Sequence, residues 1–180
     1  MSTTNSQRIG IWIIAVVLTI GTIGSFFVVI VANDNNRKDQ EEFQKQLAAY
    51  QEANKPLPLD GYETTTFDKD SVEELKVDVL KQGSGEELKE DSTITANYFG
   101  WTYDGEIFDS THKGDSTSPI DFSLTQVIEG WTKGLAGQKV GSVVRLTIPG
   151  EQAYGNVDDG TGRPYGPLMF IVEIKDKKDA

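Results

Sequence analysis

Between Ile9 and Ala32 the chain carries no charged residue, a run of 24 positions. As a helix rising ~1.5 Å per residue it spans roughly 36 Å, more than the ~30 Å hydrocarbon core of a bilayer. A cleaved signal peptide needs a shorter apolar stretch and small residues before the cut, and Ile30-Val31-Ala32 matches that poorly. The expectation is an uncleaved single-pass anchor over residues 9–32, with the rest of the chain lying outside the membrane. Arg8 stands on the short side, against Arg37, Lys38 and Lys45 on the other. Read literally, that count keeps the long portion in the cytoplasm. Long C-terminal domains cross largely regardless of charge, however, and the expected placement is extracytoplasmic.

The remaining charge excludes several classes. Seventeen Lys and Arg against 28 Asp and Glu leave a net charge of −11, which argues against nucleic acid because phosphate contacts need clustered cations. The chain has no cysteine and one histidine, His112. Disulfides, thiol nucleophiles, His-dependent triads and His- or Cys-based metal sites are therefore not expected. No cofactor is expected either.

Asn33 to Asn54 is polar and charged, with Phe43, Leu47 and Tyr50 at helical spacing, and reads as a helical stalk. Pro56 and Pro58 end any helix, and residues up to Thr66 read as a linker. From Phe67 the period changes to two. Leu75, Val77 and Val79 alternate with Lys76, Asp78 and Leu80. The same pattern recurs at Ile94–Phe99, Val143–Ile148 and Phe170–Lys175, and Asp104-Gly105 is a hairpin signal. Ile128, Trp131 and Leu135 share one face of a short helix, which neighbouring glycines keep short. Pro149 to Pro167 is a long Gly-, Asp- and Pro-rich loop, usually a functional feature. The fold class is α+β: an antiparallel sheet with one short helix on its apolar face. The division is an N-terminal tail and anchor (1–32), a polar stalk and linker (33–66) and one domain (67–180).

No nucleophile, phosphate loop or metal cluster stands out. Tyr98, Phe108, Trp131, Tyr154 and Phe170 do, and by composition alone they are core residues more readily than a binding pocket. Their neighbours change that balance. Asn97-Tyr98-Phe99-Gly100, Asp104-Gly105 and Phe108-Asp109-Ser110 occur in one order. Gln126 to Trp131, Gly141 to Pro149, Ala153-Tyr154-Gly155 and Pro167 to Ile174 follow them. Residues 75–175 thereby resemble the FKBP-type peptidyl-prolyl cis-trans isomerases. The resemblance implies a sheet half-wrapped around a short helix, with a pocket between them that takes X-Pro bonds of polypeptide substrates. It implies Tyr98, Asp109 and Tyr154 as catalytic residues. Phe108, Val127, Ile128, Trp131, Ala153 and Phe170 would bind substrate, with Trp131 as the floor under the proline ring and Phe108 and Phe170 as walls. Macrolide inhibitors are implied ligands as well.

Departures from the family pattern bear on those ligands. Phe99 stands where threonine is usual, Ile120 where an aromatic is usual, and Gly162 where isoleucine is frequent. The 110–118 loop holds no arginine to pair with Asp109, and His112 reads as an exposed bystander. Three functions follow: an isomerase assisting folding near the membrane, a binding module for proline-containing partners without turnover, and a scaffold acting through the stalk. The joint presence of the six pocket residues Tyr98, Phe108, Asp109, Trp131, Tyr154 and Phe170 favours the first.

Overall fold

Alternating apolar residues become strands because one face of each can be buried against the others. The computed structural model describes residues 37–178. The expected anchor at Ile9–Ala32 lies outside them; among the described residues no helix is long and apolar enough to cross a membrane. The first helix, α1, spans Arg37–Ala53 and ends ahead of Pro56 and Pro58. Phe43 and Leu47 are half-buried on it and Tyr50 is exposed. Two compact units are separable: residues up to Ala49 with Asp159–Arg163, and Tyr50–Asp158 with Pro164 onward.

The second unit holds the sheet. β1 (Lys76–Lys81), β2 (Thr93–Thr102), β3 (Ile107–Ser110), β6 (Ile120–Ser123), β7 (Val143–Ile148) and β8 (Leu168–Lys178) form one antiparallel sheet in the order β1-β7-β8-β2-β3. β2 and β8 pair along ten residues, Thr93↔Lys178 to Thr102↔Leu168. On its other edge β2 has two partners in succession. Its first half pairs with β6 and its second with β3. The Asp104-Gly105 turn closes the β2–β3 hairpin as expected, with Gly105 at φ +87° and its N–H donating to Thr102 O at 2.9 Å. A two-stranded hairpin, β4 (His112–Lys113) with β5 (Ser116–Thr117), stands beside the sheet.

The short helix α2 (Glu129–Leu135) crosses the inner face. Gly130 explains how it comes so near. A Cβ there would lie 2.4 Å from Ile148 Cγ2, so only glycine lets α2 settle on β7. Trp131 and Leu135 enter the inner core with Ile94, Tyr98, Leu146 and Phe170.

The outer face of the sheet is also covered, and residues read as a linker cover it. Phe99, Trp101, Val143 and Ile171 point outward and are buried with Leu59, with Tyr62 and Phe67 packed against them. Trp101 Nε1–H donates to Thr65 O at 2.9 Å. The stretch Pro56–Thr66 is thus a strap that docks on the sheet. Phe99 belongs to this outer cluster and is fully buried, on the face opposite Tyr98. Its departure from the family's threonine is explained by the strap and does not narrow the pocket.

Candidate active site

Tyr98 is set on the inner face of β2 by the period of the strand, and its phenol lies among other rings. Its centroid is 5.3 Å from Trp131 and 5.4 Å from Phe122, edge to face in both cases. Trp131 is edge-on to Phe170 at 5.4 Å, and Phe170 to Phe108 at 5.6 Å. Such pairs add about 0.5–1.5 kcal/mol each beyond area burial. Gly100, one turn of the pleat beyond Tyr98, makes room for them. A Cβ there would lie 2.5 Å from Phe170 Cε1 and 2.7 Å from Phe108 Cζ. Trp131 and Phe170 are almost fully buried, whereas Phe108, Val127, Ile128 and Ala153 are half-buried and pack on the same cluster. Tyr154 sits in the loop after the 3-10 turn Gly150–Gln152 and is 38% exposed.

The polar part of the site is a short chain of groups. Tyr98 OH donates to Asp109 Oδ2 in a short hydrogen bond. Asp109 Oδ1 accepts from the Ser110 N–H at 2.9 Å and lies 3.6 Å from Lys113 Nζ. Burial first, then the Asp109 carboxylate and Tyr154, hold the Tyr98 phenol well above its ordinary value of 10.0. The phenol therefore stays protonated and able to donate at any physiological pH. Thr111 ties the two strands behind this pair. Tyr98 N–H donates to Thr111 Oγ1 at 3.0 Å, and Thr111 N–H returns a bond to Tyr98 O at 2.9 Å.

Tyr98, Phe108, Asp109, Trp131 and Phe170 thus form one contiguous set, with Val127, Ile128 and Ala153 around it. Gly162, one of the departures, lies at φ +77° with nothing within 4 Å of where a Cβ would stand, in the unit that holds Asp159–Arg163. Two residues were not singled out from sequence. Phe122, from the four-residue strand β6, packs edge-on against both Tyr98 and Trp131. Lys113 takes the place of the arginine that the 110–118 loop lacks, four residues after Asp109. His112 is not a bystander: it is half-buried, and its Nδ1 meets Pro58 O at 2.7 Å. Among the described residues no cluster of three His, Asp or Glu is placed to hold a metal ion.

A family model described as FKBP-type peptidyl-prolyl cis-trans isomerase matches residues 84–175, just over half of the chain. The chain belongs to this family. FkpA of Escherichia coli, an FKBP-type peptidyl-prolyl cis-trans isomerase, is 39% identical over 107 residues, covering 59% of this chain and 38% of the relative. An FK506-binding protein of Neisseria meningitidis is 37% identical over 101 residues, 56% of this chain and 93% of that one. The crystal structure of E. coli FkpA superposes with a TM-score of 0.52 at 29% identity, over 99% of this chain and 76% of that chain. This FKBP domain therefore aligns with nearly all of the Neisseria protein but with well under half of the FkpA sequence.

Proposed function

We propose that this FKBP chain is a peptidyl-prolyl cis-trans isomerase acting on X-Pro bonds of polypeptides. The observation that carries the reading is the aromatic cluster floored by Trp131 with the Tyr98–Asp109 pair at its side. Rotation about a peptide bond faces a barrier of ~18–20 kcal/mol from amide resonance. No bond is made or broken, so no acid, base or nucleophile is needed. The planar amide is more dipolar than the twisted one, and a ring-lined, water-poor pocket disfavours the planar form. A donor fitted to the twisted geometry adds differential stabilisation of the transition state. In this reading Trp131 bears the proline ring, and Phe108 and Phe170 flank it. Val127, Ile128 and Ala153 line the remaining wall. Tyr154, at the open rim, donates to a substrate carbonyl. Asp109 holds the Tyr98 hydroxyl toward the amide. A macrolide would occupy the same rings.

Asp109→Asn tests the polar half of this reading. The amide keeps an acceptor for Tyr98 OH but loses the charge, so kcat/KM on an X-Pro peptide is expected to fall about tenfold. The thermal midpoint should stay near wild type. Unchanged turnover in a folded variant removes Asp109 from the mechanism. A variant that does not fold makes it a structural carboxylate.

The cellular setting follows from residues 9–32. Their uncharged length supports a single-pass anchor, and because long C-terminal domains cross largely regardless of charge, the isomerase is placed outside the cytoplasm, where emerging chains fold. Protease added to intact cells should then digest the domain. A domain protected until lysis puts it on the other side.

A further inference from the structure

Ser110, His112 and Lys113, just after Asp109, are gripped by a segment outside the FKBP-matched residues 84–175. Ser110 Oγ–H donates to Leu57 O at 2.7 Å, and the His112 N–H donates to Ser110 Oγ at 2.9 Å. The Leu57 N–H donates to His112 O at 2.9 Å. His112 Nδ1 lies 2.7 Å from Pro58 O. A carbonyl only accepts, so Nδ1 carries the proton in this bond. Pro56 also forms a β-bridge with Lys113. The clasp acts on short leverage. Ser110 supplies the N–H that holds Asp109 Oδ1, and Lys113, next to His112, brings its ammonium to the same oxygen.

We propose that His112 is a positioning residue, and that its bond to the Pro58 carbonyl lets the strap fix the Asp109 carboxylate against the Tyr98 hydroxyl. The inference rests on the isomerase reading of that pair. A merely structural clasp would serve to hold the strap on the sheet. The strap already has other holds for that purpose: Leu59, Tyr62 and Phe67 against the outer cluster, and Thr65 O on Trp101. The bonds from Leu57 and Pro58 are therefore dispensable for docking, and what they restrain is the backbone from Ser110 to Lys113. Backbone held within a fraction of an ångström is what a hydrogen-bonded catalytic pair requires.

The experiment compares the full chain with His112→Leu and His112→Asn. Leucine fills similar space without a donor. Asparagine puts an N–H near the position of Nδ1. Thermal midpoint, kcat and KM on an X-Pro peptide, and the NMR shifts of the Tyr98 ring are measured for each. His112→Leu should keep its midpoint, lose about fivefold in kcat with KM unchanged, and move the Tyr98 ring signals. His112→Asn should recover kcat to within about twofold. Wild-type kcat in His112→Leu, or no recovery in His112→Asn, overturns the proposal. A loss that follows a lowered midpoint overturns it too, leaving a structural bond. If wild type itself does not turn over X-Pro peptides, the isomerase reading fails separately. Tyr98 shifts unchanged in His112→Leu then dispose of the positioning role as well.

Discussion

Replacing Trp131 with leucine is expected to lower kcat/KM on an X-Pro peptide by about thirtyfold while leaving a folded domain. The indole is 4% exposed and edge-on to Tyr98, Phe122 and Phe170. Its backbone is held by α2, whose close seat on β7 depends on Gly130 and not on the ring. Leucine keeps an apolar side chain but removes the flat surface and leaves a void. Large-to-small changes of this kind cost about 2–4 kcal/mol, which a domain of ordinary stability of about 5–15 kcal/mol survives. Turnover should therefore fall in a domain that stays folded under assay conditions, as seen by comparing peptide kinetics with urea unfolding. If unfolding shifts by that amount and turnover does not change, Trp131 is core and nothing more.

The second large effect is on folding, at the opposite face of the sheet. A chain beginning at Pro56 should fold, whereas one beginning at Phe67 should not. The shorter chain loses Leu59 and Tyr62 and leaves Phe99, Trp101 and Ile171 facing water. Exposing roughly 200–300 Å² of apolar surface costs about 5–8 kcal/mol, comparable to the whole stability of a small domain. The Phe67 chain should aggregate or show no cooperative transition, and the Pro56 chain should melt sharply. Equal midpoints would mean that the strap merely rests on the sheet. Single substitution of Leu59 by alanine should lie between them, at about 2–5 kcal/mol.

The sequence shows the inner face of this sheet better than its outer one, for a physical reason. Period two identifies a strand and says that one face is buried, which suffices to place Ile94, Ala96 and Tyr98 on it. Phe99 and Trp101 are apolar on the other face, which signals that both faces are covered. The cover was written in Leu59, Tyr62 and Phe67, but their spacing fits neither helix nor strand, and Pro56 and Pro58 mark the stretch as irregular. Irregular segments can bury side chains without any period. The short strands fail differently. β6 offers only Ile120 and Phe122 as an alternation, too few to separate from a loop, so Phe122 was not placed beside Trp131. The 110–118 loop holds no arginine for Asp109, and its ion-pair partner is Lys113, which the β4–β5 hairpin brings to it. His112, with no motif around it, acquires its partner only once Pro58 is brought across from more than fifty residues away. The aromatic set itself was legible because each member lies inside a motif of fixed order along the chain.

The isomerase reading meets its most direct test in exchange NMR on a proline peptide that populates both isomers, with this chain added in catalytic amount. Uncatalysed interconversion takes tens of seconds or more, so cis-to-trans exchange peaks are absent without catalyst. With wild-type chain the exchange peaks should appear, and the Trp131 indole signal should shift as peptide is added. With Trp131→Leu the exchange should be weak. Peptide that binds and shifts Trp131 without any exchange peaks would make the domain a proline-binding module, and exchange that persists undiminished in Trp131→Leu would put the catalytic pocket elsewhere.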